Sequence, residues 1–175
     1  LGLRFGIFRP EAFLTQNKFD NTMSKEIWKL ENIGDLTGKV MIVTGGNSGL
    51  GFESVKAFAR KGAEVIMTSR SLEKGEAAKA AMGNPVGHIE VMQLDLMDFA
   101  SIKAFVNAFK QNYDRLDVLL NNAGIMMTPY FQTKDGLEAQ NGTNHFGHFA
   151  LTGQLLDLIK QTPGSRVVNV SSAGA

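Results

Sequence analysis

Cysteine is absent from all 175 residues, which excludes disulfides and thiolate metal sites and leaves the redox compartment open. No run of about 18 apolar residues occurs, so a membrane-spanning helix is excluded as well. An excess of either charge is also missing: 18 Lys and Arg face 17 Asp and Glu, a formal net charge of +1. Neither nucleic acid nor an anionic membrane is therefore the expected partner. Only two tyrosines are present, Tyr113 and Tyr130. What remains is the make-up of a soluble globular protein, 43% hydrophobic and 20% charged, at a length suited to one domain.

Residues 1–22, LGLRFGIFRPEAFLTQNKFDNT, carry arginines and phenylalanines but no sustained apolar core and no small-residue cleavage site. A secretory signal is not expected, and Glu11, Asp20 and Pro10 count against an amphipathic transit segment. Met23 opens a plausible start, MSKEIWKLENIGDLTGK. The expectation is an upstream or processing segment at 1–22, one folded domain over 23–175, and a cytoplasmic protein with organellar targeting left open.

From Lys39 onward the pattern alternates. KVMIVT is a continuous apolar run, as in a strand buried on both faces. Residues 49–61 place Leu50, Val55, Phe58 and Ala59 at helical spacing, and Gly62 ends the segment. Further strands are predicted at 63–69 and 89–96, a fourth strand with its exit turn within 117–124, and a fifth strand at 165–172. Helices are predicted at 71–82 capped by Ser71, at 98–113 capped by Asp98, and within 135–161. Strands separated by helices imply parallel pairing through crossovers, hence an α/β fold with a doubly wound parallel sheet.

In such a sheet, ligands bind at the carboxyl ends of the strands. The first predicted strand runs into Thr44–Gly51, TGGNSGLG, and then into a helix. Gly45 suits a tight turn, Gly49 lets a ligand approach the main chain, and Gly51 lets the helix pack closely. The backbone around Asn47, Ser48 and Leu50 sits at a positive helix end, which suits a pyrophosphate. A plain tight turn is the rival explanation for the glycines alone. Against it, LDL (94–96) ends the third strand with Asp95 and Leu96. NNAG (121–124) ends the fourth with Asn122, Ala123 and Gly124, and NVSS (169–172) ends the fifth with hydroxyls. Four strand ends with small or polar residues on one edge point to a dinucleotide.

TGGNSGLG, NNAG, NHFGHF (144–149) and RVVNVSS (166–172) occur in an order that resembles the short-chain dehydrogenases/reductases, over about residues 36–175. The wording of NSGLG, SRSLEKGEAA and NHFGHFALT is most similar to the branch of retinol dehydrogenases and WW-domain oxidoreductases. The resemblance implies a Rossmann-type domain, incomplete at its carboxyl end. It also implies an NAD(P)-dependent oxidoreductase that transfers hydride between nicotinamide and a small-molecule carbonyl or alcohol, with homo-oligomerisation of the full-length parent left open. By the same resemblance Ser172, rather than Ser171, orients the substrate oxygen, and Asn144 serves a proton relay through water. His145 and His148 stand at i and i+3, a spacing that could suit a metal, but no carboxylate motif accompanies them and none is expected. The second strand ends in TSRS (68–71), without the acid that would bind ribose hydroxyls and with Arg70 free to meet a phosphate. NADP(H) is therefore preferred, with NAD(H) as the alternative.

The family's catalytic tyrosine and lysine lie in a Tyr-x-x-x-Lys motif downstream of the serine, and Ala175 follows Ser172 by three residues. Tyr113 and Tyr130 are read as having no lysine four positions later and as falling in the wrong elements, and the chain is expected to lack the catalytic pair. Two readings result: the amino-terminal part of an enzyme, inactive by itself, or a non-catalytic nucleotide-binding or interaction module.

Overall fold

The structure, a computed structural model, describes residues 29–172. The chain divides into two compact units, Leu1–Asn32 and Ile33–Ala175. In the first, the described stretch holds a 3-10 turn at Leu30–Asn32, and the Lys29 N–H donates to Asn32 Oδ1 at 2.7 Å. The upstream segment expected at 1–22 lies outside the described residues.

The second unit alternates strands and helices: β1 (Val40–Val43), α1 (Gly49–Arg60), β2 (Glu64–Ser69), α2 (Leu72–Ala81), β3 (His88–Gln93), α3 (Phe99–Asn112) and β4 (Val118–Asn121). A three-residue α4 (Ala139–Asn141), a π-helical turn (Gly142–Gly147) and α5 (His148–Gln161) then form one helical run, and β5 (Arg166–Asn169) closes the order. All four strand pairings are parallel, in the order β3-β2-β1-β4-β5. The chain builds outward from β1 in one direction and then reverses to add β4 and β5. The crevice between the carboxyl ends of β1 and β4 is therefore the switch point where such sheets take ligands.

The three central strands, β2, β1 and β4, are largely apolar because both of their faces are covered, whereas β3 carries Glu90 in its middle and β5 is exposed along its length. Val40, Ile42, Ile66 and Leu119 join Phe105 and Phe109 of α3 and Leu151 and Leu155 of α5 in one core cluster. Met41, Val43, Val65, Met67 and Leu120 join Val55 and Ala59 of α1 and Ala78 of α2 in the other. Successive β1 residues thus feed opposite layers, as the two-residue period of a strand requires. Ser71 caps α2 by accepting from the Lys74 N–H at 3.2 Å. Asp98 caps α3 by accepting from the Ala100 N–H at 2.9 Å.

Three boundaries differ from the sequence expectation, one being the fifth strand, which stops at Asn169 instead of running to 172. The third strand stops at Gln93 instead of running to 96. Leu94 N–H makes a last bond to the Ser69 carbonyl, and the chain then turns as Asp95 Oδ1 accepts the Met97 N–H at 2.9 Å. The expected long helix is broken by the π turn, which an apolar periodicity does not encode.

At the amino end of the sheet, Asp117 joins neighbouring strands. Its Oδ2 accepts the Val40 N–H at 3.0 Å, Arg115 grips both oxygens at 2.8 and 2.9 Å, and Lys39 Nζ lies 3.1 Å from Oδ1. Burial pushes the carboxyl up, but these donors outweigh it and hold it at about 2. A carboxyl held below its unfolded value stabilises the fold above about pH 4, and that contribution is lost as pH falls through 2. Asp117→Asn should cost roughly 1.5–3 kcal/mol at neutral pH. In urea unfolding, the gap to the parent chain should close by about pH 2. A gap that persists at that pH would mean the carboxylate charge is not what Asp117 contributes.

Candidate active site

The end of β1 is fixed by one hydroxyl. Thr44 is fully buried, and its Oγ1 accepts the N–H groups of Asn122 at 2.8 Å and Ala123 at 3.0 Å, while the Asn122 side-chain amide donates back to the Thr44 carbonyl at 2.9 Å. The glycine loop and the turn after β4 are thereby locked together. Thr44 and Gly51 lie behind the loop surface. A Cβ on Gly51 would fall 2.4 Å from the Gly45 carbonyl oxygen and 2.5 Å from Asn122 Nδ2, so Gly51 packs α1 against the loop itself and not against a strand. Gly49 has φ +57 with nothing within 4 Å of its would-be Cβ. It therefore holds a left-handed conformation on the open side.

In front of the loop lies a cavity of about 760 Å³. Its walls include Gly45, Asn47, Ser48 and Leu50 from the loop, Arg70 after β2, Asp95 and Leu96 after β3, and Asn122, Ala123 and Gly124 after β4. Carboxyl ends of four strands thus converge on one space. The sequence pattern did not single out Ser71, Lys74 and Thr143, which line it too. Lys74 was legible as a cation one turn into a helix that starts beside Arg70. Thr143 was hidden, because the π turn is what presents it. No carboxylate pairs with Arg70 or Lys74 among the described residues.

A second cavity of about 750 Å³ adjoins the first and shares Asn122, Ala123, Gly124 and Val170 with it. Asn144, His145, Phe149, Ser171 and Ser172 line this one. Both serines are therefore placed on the same wall. The Asn144 side chain clasps the main chain of Ile125: Oδ1 accepts its N–H at 2.8 Å and Nδ2 donates to its carbonyl at 2.9 Å. Gln140 adds a second clasp by accepting the Met127 N–H at 3.1 Å. The two histidines part company, His145 being exposed and His148 buried. Both ring nitrogens of His148 are engaged, Nε2 with Thr44 Oγ1 at 2.9 Å and Nδ1 with the Asn144 carbonyl at 3.1 Å. Burial lowers its pKa, and the Asn144 carbonyl opposes that only in part.

One sequence expectation needs correction. Tyr130 and Lys134 do stand in Tyr-x-x-x-Lys spacing, as YFQTK. The segment is extended, however, with Gln132 bridged to Glu138 and the Thr133 N–H bonded to the Leu137 carbonyl at 2.8 Å. Four residues of extended chain separate the ends by roughly 13 Å, whereas a helix would stack them. Lys134 is paired with Asp98, and neither residue lines either cavity. Tyr113 donates to Glu90 at 2.6 Å and approaches Glu64 at 3.0 Å, and burial and the two carboxylates push its phenol well above the ordinary range. It lines neither cavity.

The family model for short chain dehydrogenases matches residues 39–175. Human retinol dehydrogenase 11 is 47% identical over 139 residues, covering 78% of this chain and 44% of the relative. The short-chain dehydrogenase/reductase drtF of Aspergillus calidoustus is 45% identical over 149 residues, covering 79% of this chain and 48% of the relative. The chain thus spans less than half the length of these curated relatives. An uncharacterized protein from Mycobacterium paratuberculosis superposes with a TM-score of 0.73 at 44% identity, covering 83% of this chain and 50% of the other. A metagenomic short-chain oxidoreductase solved with NADP gives 0.66 at 28% identity, covering 78% and 63%. No helix among the described residues is long and apolar enough to cross a membrane. With the strand order, the glycine loop and the family match in agreement, the chain belongs to the short-chain dehydrogenases.

Proposed function

We propose that the first cavity binds a nicotinamide dinucleotide, and that the protein containing this chain is an oxidoreductase acting on a small-molecule alcohol or carbonyl. One observation carries the reading: residues following β1, β2, β3 and β4 converge on one cavity. That cavity is also bordered by Thr143, whose hydroxyl is buried and has no hydrogen-bond partner. Such a buried polar group fits a polar occupant, since leaving it unpaired costs about 1–3 kcal/mol. Ser48 fits as well. It stands at the start of α1 without capping it, unlike Ser71 and Asp98 on their helices, so the first amides of α1 are not taken by that side chain.

A bound nicotinamide supplies the hydride chemistry. The chain's own residues hold and orient. The loop 45–51 receives the pyrophosphate, Asp95 and Leu96 border the adenine side, and Asn122, Ala123 and Gly124 line the passage to the second cavity. Arg70, with Lys74 one turn on, faces a 2′-phosphate, which favours NADP(H) over NAD(H). Ser172 presents a hydroxyl to the substrate oxygen. The Asn144 amide is spent on Ile125, so any proton relay it serves runs through its main-chain carbonyl, which His148 also engages.

Arg70→Asp should weaken NADPH binding about tenfold or more relative to NADH, since a charge-assisted bond is worth roughly 1.5–3 kcal/mol and the new carboxylate repels phosphate. Fluorescence titration of both cofactors measures it. Equal losses would make Arg70 a mere surface charge. Gly49→Val, folded by circular dichroism, should bind neither cofactor; unchanged affinity would remove the pyrophosphate from this loop.

Among the described residues, no tyrosine lines the cavity that holds Ser172. The 175-residue chain is therefore expected to bind dinucleotide without reducing aldehydes or ketones, as the non-catalytic reading also requires. Steady NADPH oxidation by the purified chain, abolished by Ser172→Ala, would show that another group delivers the proton.

A further inference from the structure

His148 is the one imidazole buried between the two halves of the site, and its protonation pattern follows from its partners. The Asn144 carbonyl can only accept, so Nδ1 at 3.1 Å carries the hydrogen. In the neutral ring Nε2 is then an acceptor, and the bond to Thr44 at 2.9 Å must be donated by the hydroxyl. That assignment uses Thr44 Oγ1 fully, with two lone pairs taken by the Asn122 and Ala123 N–H groups and its single proton given to the imidazole. The competing acceptor, the Leu120 carbonyl, lies farther away at 3.4 Å. In the opposite arrangement, an Nε2–H would crowd a third donor onto the same hydroxyl oxygen.

We propose that His148 is a positioning residue, a neutral Nδ1–H tether that sets the glycine loop, through Thr44, against the π turn that carries Asn144. The proposal rests on the dinucleotide reading of the first cavity and adds the element that holds this cavity in register with the second. Through Thr44, the tether governs the amides of Asn122 and Ala123, whose residues line both cavities. Through Asn144, it governs the clasp on Ile125. The burial of the ring agrees, because it disfavours the charged form.

Two substitutions separate the two arms. Glutamine places its amide near the position of Nε2 and can still accept from Thr44. Asparagine places its amide near Nδ1 and can still donate to the Asn144 carbonyl, but it does not reach Thr44. In the parent chain, 15N spectra should show His148 as the neutral Nδ1–H form, with its Nε2 signal moved by Thr44→Val. Amide exchange at Asn122 and Ala123 should speed up about fivefold to tenfold in His148→Asn, the loss of roughly one neutral hydrogen bond, and stay near the parent rate in His148→Gln. NADPH affinity should follow the same split. A merely structural role would make both variants alike in exchange and in affinity, and that result, or an Nε2–H tautomer, would overturn the tether. If the parent chain binds no dinucleotide, the functional reading fails, while the tautomer and the exchange rates still decide the tether.

Discussion

A single threonine hydroxyl holds the site's geometry. Thr44 closes the central strand, and its oxygen collects two amides from the turn after β4 while its proton reaches the helical run through His148. A hydroxyl is the smallest group that can both accept twice and donate once. Valine would fill the same volume and satisfy none of these partners. Because the side chain is fully buried, each unmet partner would be left without water to replace it.

The rest of the domain explains why such a node can exist. Two apolar layers cover the three central strands, so the middles of those strands carry no polar side-chain work. Polarity is pushed to the strand ends and divided between them. At the amino end Asp117 is consumed by its neighbours and leaves nothing for a ligand. At the carboxyl end Asn122 and Thr44 satisfy each other, whereas Thr143 and the cations after β2 retain unused capacity. The asymmetry separates a structural edge from a binding edge without appeal to any relative.

The strand and helix order was legible because burial on both faces leaves unbroken apolar runs, and because Ser71 and Asp98 cap helices by a local rule. The convergence of the 45–51 loop, Arg70, Asp95 and Asn122 was legible for a related reason: a parallel sheet brings every strand's exit to one edge. Three features were not. No apolar period announces the π turn, and with it went the burial of His148 and the placement of Thr143. The Tyr130–Lys134 spacing is plain in the sequence, but that it forms no helical pair is not, because the spacing has meaning only on a helix. That segment is held extended by pairing with residues 137–139. The end of β3 was placed late, because Leu94 and Leu96 continue the apolar alternation after the ladder has stopped.

Asn122, Ala123, Gly124 and Val170 form a wall common to both cavities. Whatever occupies one side presses on backbone that the other side also uses. Thermodynamic linkage then makes the two occupants mutual effectors: a guest that stiffens the wall from one side reduces the ordering cost met by the guest on the other, by the same factor in each direction. If each cavity takes a small molecule, the four shared residues are enough to couple the two, with no subunit contact needed to transmit the effect.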